Sequence, residues 1–130
     1  MSLREQILDA AVGALDPVMP GHVYRVRQDH LPDLPAIIVR ASSEEDAGEM
    51  LGVIDRKLTV AVDIFAQGET AGSTVDDLLE DVLDRLRVAD ALGLGSDVDV
   101  QPRRRVEWDY DGLGEVRVTV EVEIDYRIDT

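Results

Sequence analysis

The C-terminal segment 116–129 alternates strictly between apolar and polar residues. The apolar positions are Val116, Val118, Val120, Val122, Ile124, Tyr126 and Ile128. A period of two predicts a β-strand with one buried and one solvated face. At roughly 3.3 Å per residue, a strand of about 13 residues spans about 43 Å, which is more than the core of a small domain requires. We therefore expect the far end of this strand to contact something outside the domain.

The length and residue types of the chain restrict its class. A chain of 130 residues has the size of one ordinary domain, so we expect a single domain over 1–130. The absence of Cys excludes thiol catalysis, cysteine zinc sites and disulfides, and fits synthesis in a cytoplasm. No apolar run approaches the roughly 20 residues of a membrane span, and no signal-peptide pattern opens the chain. We expect no membrane partner.

The charge is strongly acidic. Thirteen basic residues against 28 acidic ones give a net charge of −15 and a pI near 4.3. Such a surface repels phosphate backbones and disfavours nucleic-acid binding. Two interpretations stay open: an acidic channel through which DNA slides without adhering, or negative charge that only maintains solubility.

The first half of the chain predicts one helix followed by strands. Ser2 and Glu5 have the spacing of a capping box, and apolar residues at helical intervals predict a helix over Leu3–Leu15. Asp16-Pro17 ends it, because the residue before proline is displaced from the helical region. A proline-rich connector is expected over 30–35. The predicted strands are 23–28, 36–41 and 57–67.

The segment 42–55 is acidic, contains two glycines and shows little periodicity. This predicts a long acidic loop, and loops of that length in a compact domain are usually functional or disordered. Its apolar residues, Met50 among them, either meet a partner or fold back on the sheet of the same chain.

The second half predicts a helix and a hairpin. Ser73 or Thr74 caps a helix whose apolar stripe continues to Leu86. Strands over 98–110 and 115–128 then form a hairpin around a glycine-containing turn.

Two registers of this hairpin stay open. In the first, the residue numbers of each facing pair sum to 226, and the pairs are Asp109 with Arg117, Arg105 with Glu121, Arg103 with Glu123 and Asp99 with Arg127. Such opposite-sign pairs contribute about 0.2–1 kcal/mol each. A sum of 224 places Asp99 opposite Asp125 instead, so we favour the first register. Pro102 cannot donate to a ladder, which predicts an edge or a bulge there.

The order helix, three strands, helix, two strands predicts an α+β domain. We expect two helices on one face of a mixed or antiparallel sheet of about five strands, with a long C-terminal hairpin and a polar opposite face.

No residue pattern points to a catalytic centre, a metal or a cofactor. Segment 107–112 resembles the opening of a calcium loop, but the twelfth position is Val118 instead of Glu. His22 and His30 each lack a second ligand at a suitable spacing. The glycines fall at turns and form no phosphate-binding motif.

One basic cluster interrupts the acidic chain at Arg103, Arg104 and Arg105. It lacks the interleaved aromatic residues and surrounding Lys typical of nucleic-acid binding. Arg104 falls on the apolar side of its strand, where it either reaches solvent at the sheet end or meets an acidic partner across a subunit interface. The residues predicted to form assembly interfaces are Glu44, Glu45, Asp46, Glu49, Met50, Arg103, Arg104 and Arg105.

Several segments together resemble the tail terminator family of long-tailed phages, typified by the minor tail protein U of lambda-type phages, with relatives in gene-transfer particles. These segments are Leu3-Arg4, Ile7-Leu8-Asp9-Ala10, Leu34–Val39, Leu58–Phe65, Val75–Leu78 and Asp125-Tyr126-Arg127. The resemblance covers nearly the whole chain and consists of patterns without invariant motifs.

The resemblance implies a structural virion protein without catalytic residues. A ring, expected to be hexameric, would sit on the head-proximal end of the tail tube, end tube polymerisation and present a surface to a head completion or neck protein. The implied partners are copies of itself, the tail tube protein and that neck protein, while DNA passes through the lumen without specific binding. Such a protein is made in the host cytoplasm and resides in the virion.

Two alternatives stay open at this point. One is another neck component, a head-tail connector or a stopper. The other is a small α+β enzyme or ligand-binding domain, which would need a pocket with convergent polar groups.

Overall fold

Two helices and five strands make up the described part of the chain. The computed structural model describes residues 2–25, 35–86, 92–95, 97–110 and 114–129. In chain order the elements are α1 (Leu3–Leu15), a 3₁₀ turn (Asp16–Val18), β1 (Val23–Tyr24), β2 (Ala36–Met50), β3 (Val53–Gln67), α2 (Ala71–Leu86), β4 (Val98–Tyr110) and β5 (Glu115–Asp129). Neither of these two helices is long and apolar enough to cross a membrane. The predicted α+β class is confirmed.

The first helix has the predicted bounds, and its N-terminus is capped as expected. The Ser2 hydroxyl accepts a hydrogen bond from the Glu5 amide at 3.1 Å, which satisfies one donor of the first turn. The second helix begins at Ala71, earlier than the predicted start at Ser73 or Thr74. The Thr74 amide donates to the Thr70 carbonyl at 2.9 Å, so Ser73 and Thr74 lie inside the first turn and do not cap it.

The five strands form one mixed sheet in the order β1-β2-β3-β5-β4, in which only the β1–β2 pair is parallel. Both helices pack on one face, hereafter the helix side. The core contains apolar residues of both helices together with the helix-side positions of the sheet. Central members of this core are Ile7, Leu15, Ile37, Leu58, Val62, Val75, Val82, Val118 and Val120. The alternation of β5 is confirmed, because its even-numbered residues from Val116 to Tyr126 are buried.

The predicted acidic loop over 42–55 is wrong. This segment continues β2, turns at Leu51-Gly52 and returns as the start of β3, in a ladder that runs from Ala36 opposite Phe65 to Met50 opposite Val53. The physical reason is non-local. Because β5 pairs with β3 along its whole length, it provides a partner for 53–57, and that strand in turn provides a ladder for the acidic residues of β2.

Both hairpin registers occur, on opposite sides of a bulge at Pro102. Asp109 faces Arg117 and Arg105 faces Glu121, as the 226 register predicts. Before the bulge the sum is 224, so Asp99 faces Asp125 and the predicted pairs of Asp99 with Arg127 and Arg103 with Glu123 are wrong. Proline has no N–H for the ladder, and the residues around it loop out between Val100 and Arg104.

Parts of some predictions lie outside the described residues. The predicted strand 23–28 is observed as β1 over its first two residues, and 26–28 are not described. Most of the connector 30–35 and the turn residues 111–113 also lie outside the described residues.

The other face of the sheet, the helix-free side, is largely charged, as expected, but contains two buried polar residues, Asp63 and Thr119. Asp63 is only 4 % exposed and lies beside the buried residues Ile38 and Phe65. Its carboxylate accepts a hydrogen bond from Arg40 Nε at 2.7 Å and another from Thr119 Oγ1 at 2.6 Å. Both carboxylate oxygens are therefore satisfied, as burial of a charge requires.

Candidate functional site

A long strand pair projects past the helices at one end of the sheet. We call residues 43–57 the arm; it comprises the end of β2, the turn and the start of β3. The core residues of β3 begin at Leu58, so the arm lies beyond the packed helix–sheet core. Its β2 residues are exposed except for Glu44, which is half-buried. Its β3 residues, 53–57, are half-buried and pair with 125–129 of β5. The exposed part of the arm is therefore its β2 half and the turn, and such a strand is a surface available to a partner.

Two of the four predicted acidic interface residues are used within the chain. Glu44 accepts hydrogen bonds from Arg4 Nε at 2.5 Å and from the Tyr126 hydroxyl, which ties α1 and β5 to the base of the arm. Burial raises the pKa of Glu44, but these two hydrogen bonds outweigh it and hold the pKa below its ordinary value. Asp46 accepts from Arg56 Nε across the strand pair at 3.0 Å.

The other two acidic residues, Glu45 and Glu49, are exposed on the arm. Glu45 lies opposite Lys57 and Glu49 opposite Ile54 in the ladder. Both carboxylates are therefore accessible to a partner.

The tip of the arm is apolar and has an unusual backbone. Met50 is 74 % exposed and Leu51 97 % exposed. Leu51 has φ 53° and Gly52 has φ 81°, the two positive φ values that a tight two-residue hairpin turn requires. Asn or Gly normally occupies the first of these positions, and a bulky residue there is an outlier. The strain and the exposure coincide at the same leucine.

A second exposed apolar group lies at the opposite end of the sheet. The rings of Trp108 and Tyr110 stack, with centroids 6.2 Å apart and planes 12° from parallel. Both are exposed and lie on β4 opposite Val118 and Val116. Sequence reasoning placed Trp108 on the apolar face but missed this patch, because only the sheet order makes β4 an outer strand.

The three consecutive arginines have different surroundings. Arg104 donates to the carbonyl of Leu86, the last residue of α2, and to the Gln101 carbonyl. A guanidinium at this position satisfies a helix C-terminal carbonyl and interacts favourably with the helix dipole. Arg103 and Arg105 are exposed at the outer strand, and Arg105 also pairs with Glu107 at 2.5 Å. The interface prediction for all three stays a prediction, and Arg104 has an internal role besides.

A concavity of about 350 Å³ with both acidic and basic side chains lies at the base of the arm. Its charged lining residues are Asp55, Asp97, Asp99, Asp125, Arg56, Lys57 and Arg127. Gln101 Nε2 donates to both Asp99 and Asp125, at 3.1 and 2.9 Å. Burial, and then the charge of Glu123, raises the pKa of Asp125. Within the described ranges, no group of three or more His, Asp or Glu side chains is arranged to hold a metal ion. Of the calcium-loop segment, Asp109 pairs with Arg117 at 2.8 Å on a regular strand, and Asp111 lies outside the described residues.

Comparisons with known proteins identify a shared fold. The sequence matches no protein-family profile and no curated protein. A solved structure of the virion of a native gene transfer agent particle contains a chain of the same fold, with a TM-score of 0.70 and 14 % sequence identity. The match covers 98 % of this chain and 98 % of that one. The α+β architecture described above is therefore also that of a chain in a virion particle.

Proposed function

We propose that this protein is a structural component of a phage-type particle that caps the head-proximal end of a tail tube as a hexameric ring. In this role it ends tube polymerisation and joins the tail to the head or neck, without catalysing a reaction. The observation that carries the proposal is the nearly full-length fold likeness to a chain of a gene transfer agent virion. The tail terminator resemblance of the sequence supplies the particular position in the particle.

The two exposed apolar groups support a joining role. Met50 and Leu51 lie at one end of the strands, and Trp108 and Tyr110 at the other. The intervening 13 residues of β3 span about 43 Å at roughly 3.3 Å per residue. Apolar surface of this kind usually marks a contact with a partner. A protein that joins a tube to a neck needs contact surfaces on two opposite sides.

The strained tip supports a contact at the arm. A left-handed backbone at a residue with a branched side chain costs roughly 1–2 kcal/mol compared with Gly or Asn. Leu51 occupies that backbone while 97 % exposed, so the side chain gains nothing from the packing of its own chain. Burial against another protein accounts for both features.

The charge of the chain suits a passage for DNA. Six copies at −15 each carry a formal charge of −90. Carboxylates that line a channel repel phosphates and reduce adhesion of the passing strand.

The test uses purified tail tubes incubated with the protein carrying a gold label, followed by electron microscopy. We expect label at one end of each tube, rings in end-on views, and tubes that no longer elongate. Label along the sides of tubes, or on heads that lack tails, would contradict the proposal, and the second outcome would indicate a connector or stopper.

A matched pair of variants tests the arm. Leu51→Asn keeps the hairpin, because Asn-Gly suits the turn, and removes the apolar tip. We expect it to reduce the capped fraction of tubes at least fivefold. The control is Asp77→Asn on the exposed side of α2, which we expect to cap tubes normally. Equal capping by both variants would refute a role for the tip.

A further inference from the structure

Within the described residues, two strand edges of the sheet are open to another strand. In the order β1-β2-β3-β5-β4, β4 is terminal on one side, and on the other side β1 pairs with β2 only at Ile37 and Ile38. Across the described ranges, no strand lies against the outer side of β2 after Ile38 or against the outer side of β4. Such edges present main-chain N–H and C=O groups that pair readily with a strand of another chain.

These two edges differ in charge over part of their length. The outer part of β2 contains Glu44, Glu45, Asp46 and Glu49 and no basic residue. β4 contains Arg103, Arg104 and Arg105 at its centre and Asp99, Glu107 and Asp109 towards its ends. Glu45 pairs with Lys57 and Arg105 pairs with Glu121, which places Glu45 and Arg105 on the helix-free side. If a second copy continues the sheet, Glu45 of one chain and Arg105 of its neighbour therefore lie on the same face. Glu44, Asp46 and Glu49 lie opposite Leu58, Arg56 and Ile54 and so belong to the helix side.

The strand directions favour the same arrangement. The pairs β2–β3, β3–β5 and β5–β4 are all antiparallel, so β2 and β4 run in opposite directions. A neighbouring copy in the same orientation consequently brings its β2 antiparallel to β4, with a standard hydrogen-bond ladder.

A ring excludes the two symmetric alternatives. Pairing β4 with β4, or β2 with β2, joins the same surface of two copies and closes a dimer, and a β2–β2 contact would in addition bring carboxylates together. The β4–β2 contact joins two different surfaces and brings Arg105 near Glu45. This contact is head-to-tail, and a head-to-tail contact generates a ring when its rotation closes.

We propose that β4 of each copy pairs with the outer edge of β2 of the next copy, with Arg105 and the adjacent Arg103 near Glu45. The proposal rests on the ring of the proposed function and names the strands that build it. Arg105 exchanges its solvated contact with Glu107 at little cost, since exposed ion pairs contribute only about 0–1 kcal/mol. Arg104 keeps its contact with the Leu86 carbonyl.

Charge reversal gives a selective test. One variant is Arg103→Glu with Arg105→Glu, and the other is Glu45→Arg. For each variant alone, the fraction of tube ends that carry a ring should be at least tenfold lower than for the natural chain. An equal mixture should recover rings in which the two variants alternate, because every contact then joins opposite charges again. The control, Asp77→Arg with Glu80→Arg on the exposed side of α2, should form rings normally.

A crosslink tests the contact itself. The chain has no Cys, so Glu45→Cys combined with Arg105→Cys introduces the only two thiols. Within one chain these positions lie on strands three spacings apart, about 14 Å at roughly 4.8 Å per spacing, too far for a disulfide. Oxidation of the concentrated variant, alone and with tubes, should therefore produce a ladder of linked chains that ends in a closed ring.

The outcomes separate the two proposals. If the natural chain caps tubes while both reversed variants also cap them and no ladder forms, the edge contact is overturned and the proposed function stands. If the ladder forms and the mixture alone rescues assembly, the edge contact is supported. A ladder without any capping of tubes supports the edge contact and refutes the proposed function.

Discussion

The buried carboxylate of Asp63 allows a quantitative prediction. The Arg40 side chain, 44 % exposed, donates to Asp63, which Thr119 also contacts from β5. Arg40→Met removes the positive charge and one hydrogen bond but keeps an aliphatic chain of similar length. Breaking a fully buried ion pair costs about 3–5 kcal/mol. Because half of Arg40 is solvated and water can reach the site, we expect about 2–3 kcal/mol.

The assay is urea unfolding at pH 7. With an m value of roughly 2 kcal/mol per molar urea, this loss lowers the midpoint by about 1–1.5 M. The control is Arg127→Met, which breaks the ion pair between Arg127 and Asp55. That pair is 2.8 Å long, against 2.7 Å for Arg40 and Asp63, but both of its side chains are more than half exposed. That control should lose at most about 1 kcal/mol. Equal losses for the two variants would refute the reasoning that burial of Asp63 decides the cost.

Three further predictions concern single contacts. Asp125→Asn should raise the free energy of unfolding by about 0.2–1 kcal/mol at pH 7 and leave it unchanged at pH 3. Burial, and then Glu123, raises the folded-state pKa of Asp125, so the destabilisation by its charge appears only as pH rises above the unfolded pKa of about 3.9. An unchanged urea midpoint at pH 7 would contradict this. Tyr126→Phe removes the hydrogen bond to Glu44 and should cost about 1–2 kcal/mol at pH 7 and far less at pH 2. Because the folded-state pKa of Glu44 is lowered, the stabilisation by its carboxylate is complete above about pH 4.3 and is lost as pH falls through the folded-state pKa. An equal cost at both pH values in urea unfolding would refute the prediction. Arg104→Met should cost about 1–2 kcal/mol, because it removes the contact with the end of α2. The control Arg103→Met should change stability by less than about 0.5 kcal/mol. Thermal denaturation of both variants tests the difference.

Local patterns were sufficient where the chain determines its own conformation over a few residues. The bounds of α1 follow from Ser2 and Pro17, and the alternation of β5 follows from a period of two that spans the whole strand. Pro102 marked the bulge correctly, because a residue without an N–H cannot continue a ladder wherever it occurs.

Local patterns failed for the arm and for the hairpin register. Residues 42–50 have little β-propensity, and they become a strand only because β5 is long enough to pair with 53–57 and β3 then pairs with them. Four favourable charge pairs supported one register throughout, yet the bulge changes the register partway along β4. In both cases the deciding partner lies far away in sequence.

The candidate surfaces divide in the same way. The acidic run, the arginine cluster and the net charge of −15 are properties of composition and are visible in the sequence. The order β1-β2-β3-β5-β4 determines which two strands form the outer edges. It also determines which acidic residues are accessible and which arginine contacts the end of α2. Strand order is set by contacts between segments far apart in the chain, and short-range periodicity carries no information about those contacts.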